Sequence, residues 1–244
     1  MLEIIGLSKS FGGLKAVSDV SMSVSHGEIV GIIGPNGAGK TTLLNLITGY
    51  LPPTAGSISF LGKRVDGQFP FDICHMGLAR TFQIVRPFVE MSVVDNVMTG
   101  ALFSSQRRVG LAEARELAQR PMELCGLSHK RNVLAGALTI GEKKKLELAR
   151  ALATAPKMLL LDEVMGGLTK EDVSDIIEVI TDIHAAGTTI VMIEHVLEAI
   201  IRLTHRVIVL NFGSKLVEGT AREVLSHPAV IESYLGQPLD LESI

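Results

Sequence analysis

Residues 34–41 read Gly-Pro-Asn-Gly-Ala-Gly-Lys-Thr and follow directly on the apolar run Ile29-Val30-Gly31-Ile32-Ile33. That order constrains the fold more than any bulk property. The apolar run predicts a buried strand, and Thr42-Leu43-Leu44-Asn45-Leu46-Ile47 predicts a helix whose start faces the loop. Between them Gly34, Gly37 and Gly39 let the backbone curl with its N–H groups turned inward, and Pro35, Asn36 and Ala38 complete the curl as an anion nest. Lys40 supplies a point charge for β- and γ-phosphates. Thr41 offers a hydroxyl ligand to Mg²⁺, and Thr42 a further hydroxyl beside the phosphates. The motif implies a nucleoside triphosphate site.

The rest of the chain supplies a sheet for that loop. Val20-Ser21-Met22-Ser23-Val24-Ser25 and Gly56-Ser57-Ile58-Ser59-Phe60 alternate as half-buried strands do. Met158-Leu159-Leu160-Leu161 and Thr188–Ile193 are continuous apolar strands flanked by helical patterns, the arrangement of crossover connections in a parallel sheet. Between those two, Val173, Ile176, Ile177, Ile180 and Ile183 make one helical stripe. Near the end, Arg206–Leu210 and Lys215–Val217 flank the turn Asn211-Phe212-Gly213-Ser214, and Thr220 caps a last helical region. Residues from about 86 to 150 lack strand alternation. They carry helical spacing at Leu111, Ala114, Leu117, Ala118, Leu124 and Cys125, with Pro121 opening a new helix.

Charge and length narrow the function. The 244 residues suffice for one large domain or two small ones, with ample apolar surface for a core. With 23 basic against 26 acidic groups, net −3, the chain has no electrostatic footprint for nucleic acid. No apolar run approaches the roughly 18–20 residues that span a bilayer, and no signal peptide pattern opens the chain. Cys74 and Cys125 have no metal-ligand spacing and are expected reduced and packed as small hydrophobes in a soluble, intracellular protein.

Met158–Leu161 ends in Asp162-Glu163. Two acids after a strand are on their own a solvated turn. Beside a phosphate loop in the same sheet, Asp162 can hold Mg²⁺ through its water shell and Glu163 can polarise an attacking water.

Taken together these motifs resemble the nucleotide-binding subunit of an ABC transporter, over essentially the whole chain. In that family an aromatic near the N-terminus stacks on adenine, and Phe11 in Ser10-Phe11-Gly12-Gly13 matches it. A glutamine stands at the junction with the helical subdomain, matched by Gln83 in Arg80-Thr81-Phe82-Gln83. A histidine ends the strand after the acid pair, matched by His195 in Ile193-Glu194-His195. The resemblance implies that Gln83 touches metal and water and that His195 hydrogen-bonds the γ-phosphate. Singly, Phe11 reads as core, Gln83 as loop surface and His195 as a satisfied strand-end histidine. The implied fold is α/β: a P-loop NTPase core with a mixed, mainly parallel sheet, N-terminal antiparallel strands and a helical subdomain. In domain terms, 1–244 is one ATPase domain, with 1–85 and 151–244 as core and about 86–150 as the helical subdomain.

The family's Leu-Ser-Gly-Gly-Gln signature appears as Leu138-Thr139-Ile140-Gly141-Glu142. It reads as a helix N-terminus offered to phosphate, with the Thr139 hydroxyl and the Gly141 N–H as donors. In the family it meets ATP held by an opposite subunit. Ile140 and Glu142 depart from the pattern, as do Val164, where proline is usual, and Thr169, where an acid or amide is usual. The lysine triplet Lys143-Lys144-Lys145 reads as a solvated helix face.

Within the family the chain resembles importer ATPases for branched-chain amino acids and related amides. The stretch Phe11–Val17, Arg80–Gln83 with Phe88, Met91-Ser92-Val93 and Asn96, and Tyr234-Leu235-Gly236 carry that likeness. It implies ATP and Mg²⁺ as cofactors, a second ATPase subunit (identical or paralogous), transmembrane permease subunits and an external substrate-binding protein. The location implied is cytoplasmic, peripheral on the inner face of the cell membrane. Residues 84–100 are the expected permease contact, through Val85, Phe88, Val93 and Val94 if these are exposed; the alternative is that they pack the helical insert. Other readings are a soluble ABC-type ATPase acting in assembly or translation and a nucleotide-binding module with weak turnover. A P-loop kinase or GTPase leaves Gln83, the 138–142 motif and His195 unexplained.

Overall fold

A computed structural model describes residues 1–104 and 109–237. The first elements are β1 (Leu2–Phe11), β2 (Leu14–Val24), β3 (Ile29–Ile33), α1 (Lys40–Ile47), β4 (Ala55–Phe60), β5 (Lys63–Arg64) and α2 (Pro70–His75). There follow β6 (Leu78–Arg80), α3 (Val93–Leu102), α4 (Leu111–Leu117), α5 (Gln119–Leu124), α6 (Ile140–Leu152), β7 (Met158–Asp162) and α7 (Lys170–Ala185). Last come β8 (Thr189–Ile193), α8 (Leu197–Leu203), β9 (Arg206–Asn211), β10 (Ser214–Gly219), α9 (Ala221–Leu225) and α10 (Pro228–Val230). They fall into two compact units, Met1–Ile73 with Thr189–Ile244, and Cys74–Thr188.

The first unit carries two sheets. In one, β1 pairs antiparallel with both β2 and β4, and β4 with β5. Val20, Met22 and Val24 point inward while Ser21 and Ser23 face water, so strict alternation here does report a half-buried strand. In the other sheet β3 lies parallel between β8 and β9, and β10 closes the edge antiparallel to β9. Every residue of β3 and β8 is buried, which is why both read as unbroken apolar runs. Ile33, Ile200, Val207, Val209, Val224 and Val230 form a core under this sheet, with Tyr234 and Leu235 packed against it.

An ionic knot ties the lower strand ends of this unit. The Arg206 guanidinium donates to both Glu28 oxygens at 2.8 and 3.1 Å and to the Ser23 carbonyl at 2.6 Å, and also pairs with Glu218. Burial works against ionising Glu28, but the Arg206 side chain and the Ser25 N–H outweigh it and hold its carboxyl below the ordinary value. In Glu218, likewise, burial is outweighed by Lys215 and Arg206. Carboxyls depressed in the folded state contribute stability above their unfolded pKa, and the contribution is lost as pH falls through the folded value. Arg206→Met is therefore expected to lose about 2 kcal/mol at pH 7. The deficit shrinks below roughly pH 4.5, where the parent also loses the pairing. Urea unfolding at both pH values measures it, and a deficit independent of pH counts against the knot.

In the second unit β6 and β7 pair in parallel, and α7 buries Val173, Ile176, Ile177, Ile180 and Ile183 as its stripe requires. Helices α3–α5 and most of α6 fill residues 86–150; residues 105–108 of that stretch lie outside the described residues. Four details differ from the sequence expectation. α5 begins at Gln119, not at Pro121, because the first-turn N–H groups have no helical acceptor and proline is tolerated among them. In α4 and its C-cap the inward line is Ala114 and Ala118, while Leu111 and Leu117 are exposed; small residues let this helix pack closely. Val93 and Val94 are buried at the start of α3, so they pack the helices and offer no outward contact. The lysine triplet is not uniformly solvated: Lys144 is 5% exposed.

Both cysteines are free thiols, Cys125 fully buried and Cys74 partly so, and burial pushes both up from the ordinary thiol value. No helix among the described residues is long and apolar enough to cross a membrane.

Candidate active site

β3 ends at Ile33 and the chain turns at once into the phosphate loop. Gly34, Gly37 and Gly39 take φ of 144°, 80° and 99°, backbone conformations that a side chain resists. The Ala38 N–H donates to the Pro35 carbonyl at 3.1 Å, and the Gly213 N–H of the β9–β10 turn donates to the Ala38 carbonyl at 3.1 Å. The hairpin thus braces the loop from outside. Gly39 caps α1 without a side chain, leaving the first N–H groups of the helix for an anion. Lys40 opens α1 and its ammonium reaches back to the carbonyls of Gly34 and Pro35 at 2.6 and 3.1 Å, so the charge sits over the curl. Asn36, Gly37 and Thr41 are exposed, and Pro35 and Thr42 half-buried. Phe11, at the end of β1, is 46% exposed with the Lys9 ammonium 5.2 Å from its ring centre, which excludes the core reading. His195 is exposed two residues beyond the end of β8, the strand that runs parallel to β3.

In the second unit the acid pair closes an apolar strand, as its sequence pattern predicts. β7 ends at Asp162, which is 3% exposed, and Glu163 follows with φ 50°, a left-handed conformation uncommon for a non-glycine residue. The Gln83 side-chain amide donates to Glu163 Oε2 at 2.8 Å, so two of the candidate catalytic residues meet. The Arg80 guanidinium, at the tip of β6, donates to Asp162 Oδ2 at 2.7 Å. Those side chains are 6% and 4% exposed, a buried ion pair that the sequence reading missed. Its strength depends on desolvation of both partners, so deleting one leaves an expensive unpaired charge.

The signature segment forms the N-terminus of α6. Thr139 caps it, accepting from the Glu142 N–H at 3.3 Å while Glu142 Oε2 accepts from the Thr139 N–H at 2.9 Å. Glutamine would serve this capping box equally well, so what the carboxylate of Glu142 adds is a charge for Lys130. Lys130 pairs with Glu142, and although burial opposes it, that pairing holds the Glu142 carboxyl below its ordinary value. A Cβ at Gly141 would lie 2.5 Å from Asp172 Oδ1, so a side chain there requires the Asp172 carboxylate to move. Thr169 caps α7 by accepting from the Asp172 N–H at 3.2 Å, the service an acid or amide would give, and Val164 is buried. Two further residues escaped sequence reading: Lys144 and Glu147 of α6, both buried and both hydrogen-bonded to the Gln83 loop. Their spacing of three on a helix start was the only available signal.

A strand–loop–helix phosphate cradle together with an Asp-Glu pair at a strand end defines a P-loop nucleotide hydrolase. The chain belongs to the ABC transporter family, which its residues 17–166 match, and residues 214–239 match the family described as branched-chain amino acid ATP-binding cassette transporter. It is 37% identical to the high-affinity branched-chain amino acid transport ATP-binding protein LivG of Salmonella typhimurium, over 97% of this chain and 98% of that one. Protein BraF of Pseudomonas aeruginosa, with the same description, is 36% identical over the same shares. Among solved structures, the ADP conformation of an ATP-binding cassette of an ABC transporter superposes with a TM-score of 0.89 at 34% identity, covering 97% of this chain and 99% of that one. The α/β P-loop fold with a helical portion is thereby established, and the chain is an ATPase that uses ATP with Mg²⁺. Within the second unit, Asp162 and Gln83 carry oxygen atoms of the hard kind that Mg²⁺ takes, and Asp162 Oδ2 accepts from Arg80.

Proposed function

We propose that this chain is the ATP-hydrolysing subunit of an importer for branched-chain or other small amino acids or amides. Both units act as one cassette, with about 86–150 as its helical part. The observation that carries the catalytic reading is the 2.8 Å contact between the Gln83 amide and the Glu163 carboxylate beside a buried Asp162. The substrate class is supported by the descriptions of LivG and BraF, both branched-chain amino acid transport proteins.

In this reading Phe11 stacks on adenine, and the loop N–H groups with Lys40 bind the β- and γ-phosphates. Thr41, Asp162 and Gln83 would hold Mg²⁺, which neutralises charge on those phosphates. Glu163 accepts a proton from the attacking water as general base, and His195 hydrogen-bonds the γ-phosphate. Thr139 and Gly141 present the start of α6 to ATP on a second ATPase subunit, identical or paralogous. Closing and reopening of that pair drives transmembrane permease subunits supplied by an external binding protein. The subunit would sit in the cytoplasm on the inner face of the membrane. Phe82, Ile84, Phe88 and Val89, exposed by 42, 67, 47 and 48%, support the Gln83 loop as the permease contact, in place of Val93 and Val94.

The test is reconstitution with permease, paralogous ATPase and binding protein in vesicles. ATP-driven leucine uptake is expected, and it is expected to disappear with Lys40→Ala. That change removes charge-assisted contacts to phosphate and should weaken ATP binding by about 10- to 100-fold. Unchanged nucleotide affinity counts against the loop assignment; ATP hydrolysis without leucine uptake counts against the substrate class alone.

A further inference from the structure

Lys144, Glu147 and Arg150 project from one face of α6 at three-residue spacing, and all three hold the segment from Phe82 to Phe88. The Lys144 ammonium donates to the Gln83 carbonyl at 2.9 Å and lies 3.5 Å from the Glu163 carbonyl. One Glu147 oxygen accepts from the Phe82 N–H at 2.7 Å. Arg150 donates to the Arg86 carbonyl at 3.0 Å and lies over the Phe88 ring, 4.9 Å from its centre. Lys144 and Glu147 are 5% and 9% exposed.

Burying an ammonium is costly, and helix packing alone is served better by leucine or methionine at that position. What the ammonium adds is location. It joins the backbones of the two residues whose side chains meet, Gln83 and Glu163. Glu163 in addition holds a left-handed backbone, which persists only where its surroundings fix it. We propose that Lys144 is a positioning residue for hydrolysis: it anchors the carbonyls of Gln83 and Glu163 so that the carboxylate stays aligned for proton abstraction. The inference rests on Glu163 being the general base.

Lys144→Met keeps the aliphatic stem and removes the ammonium; Lys144→Arg keeps a donor that reaches the same carbonyls. For Lys144→Met, kcat is expected to fall about tenfold or more while ATP affinity is unchanged, because misplacing a reacting group costs rate and not binding. Lys144→Arg restores most of the rate. In a Glu163→Gln background the Lys144→Met change adds little, since the group it aligns no longer acts. Thermal melts of each variant accompany the kinetics. A parent-like kcat in Lys144→Met overturns the proposal, as does a full additional loss in the Glu163→Gln background or a loss that tracks unfolding and is not rescued by arginine. If Glu163→Gln itself turns over normally, the general-base assignment fails and this inference with it; if only Lys144→Met is parent-like, the role of Lys144 fails alone.

Discussion

Glu163→Gln is expected to bind ATP as the parent does and to hydrolyse it at least about a hundredfold more slowly. The substitution is nearly isosteric. The amide oxygen of the new residue can still accept from Gln83 Nε2, now 2.8 Å from the carboxylate, so the side-chain contact survives. Glutamine, however, has no basic lone pair of comparable strength to take a proton from water. In the proposed reading binding depends on different groups, chiefly the N–H groups of residues 34–41 and the Lys40 charge, none of which the change replaces. Equilibrium nucleotide binding and phosphate release, measured on one preparation, separate the two effects. Hydrolysis at the parent rate removes Glu163 from the mechanism, and equal loss of binding and turnover assigns it a structural role.

What the chain disclosed in advance, and what it withheld, follows from the range of the interactions involved. The phosphate loop was legible because strand, glycine pattern and helix lie within some twenty consecutive residues, Ile29 to Ile47, and their backbone geometry is local. The helix cap Thr220 shares that local character, its hydroxyl accepting from an N–H three residues on; Thr139 and Thr169 cap in the same way, although the sequence there points to a phosphate donor and to a departure from the family pattern. The Asp162-Glu163 pair was legible as an apolar strand ending in acids. By contrast, Arg80 and Asp162 are 82 residues apart, and no pattern in either stretch announces that β6 and β7 will set them side by side. Lys144 was hidden differently. Three successive lysines look alike in sequence, but α6 turns about 100° per residue, so only one of them enters the interior. Lys145 instead pairs with Asp175 at 2.7 Å, on a half-exposed edge. Val93 and Val94 followed the same logic in reverse, since apolar residues near an expected docking surface gave no sign of which way they face. Sheet and loop come from short-range pattern; the groups that orient the acid pair come from long-range packing.

Among the glycines of the phosphate loop, Gly39→Ala is expected to be far more damaging than Gly37→Ala. Both positions have left-handed φ, 99° and 80°, so each alanine takes a similar backbone penalty, about 1–2 kcal/mol. Their surroundings differ. A Cβ at Gly37 meets nothing within 4 Å, whereas one at Gly39 would lie 2.3 Å from the Ala16 carbonyl oxygen and 3.5 Å from the Gly213 Cα. Both neighbours are backbone in strands and turns of the same unit, and neither can rotate away. The loop must therefore shift, and with it Lys40, the next residue, whose ammonium depends on that curl. Gly39→Ala should lose at least about 3 kcal/mol of stability, the range of steric overpacking added to backbone strain. The displaced N–H groups should also bring measurable ATP affinity down to the level of Lys40→Ala or lower. Gly37→Ala should stay folded and lose only the backbone term. Urea unfolding and nucleotide titration of the two variants decide between contact and conformation: equal losses would mean that φ alone governs the loop, and the bracing by Ala16 and Gly213 would then carry no weight.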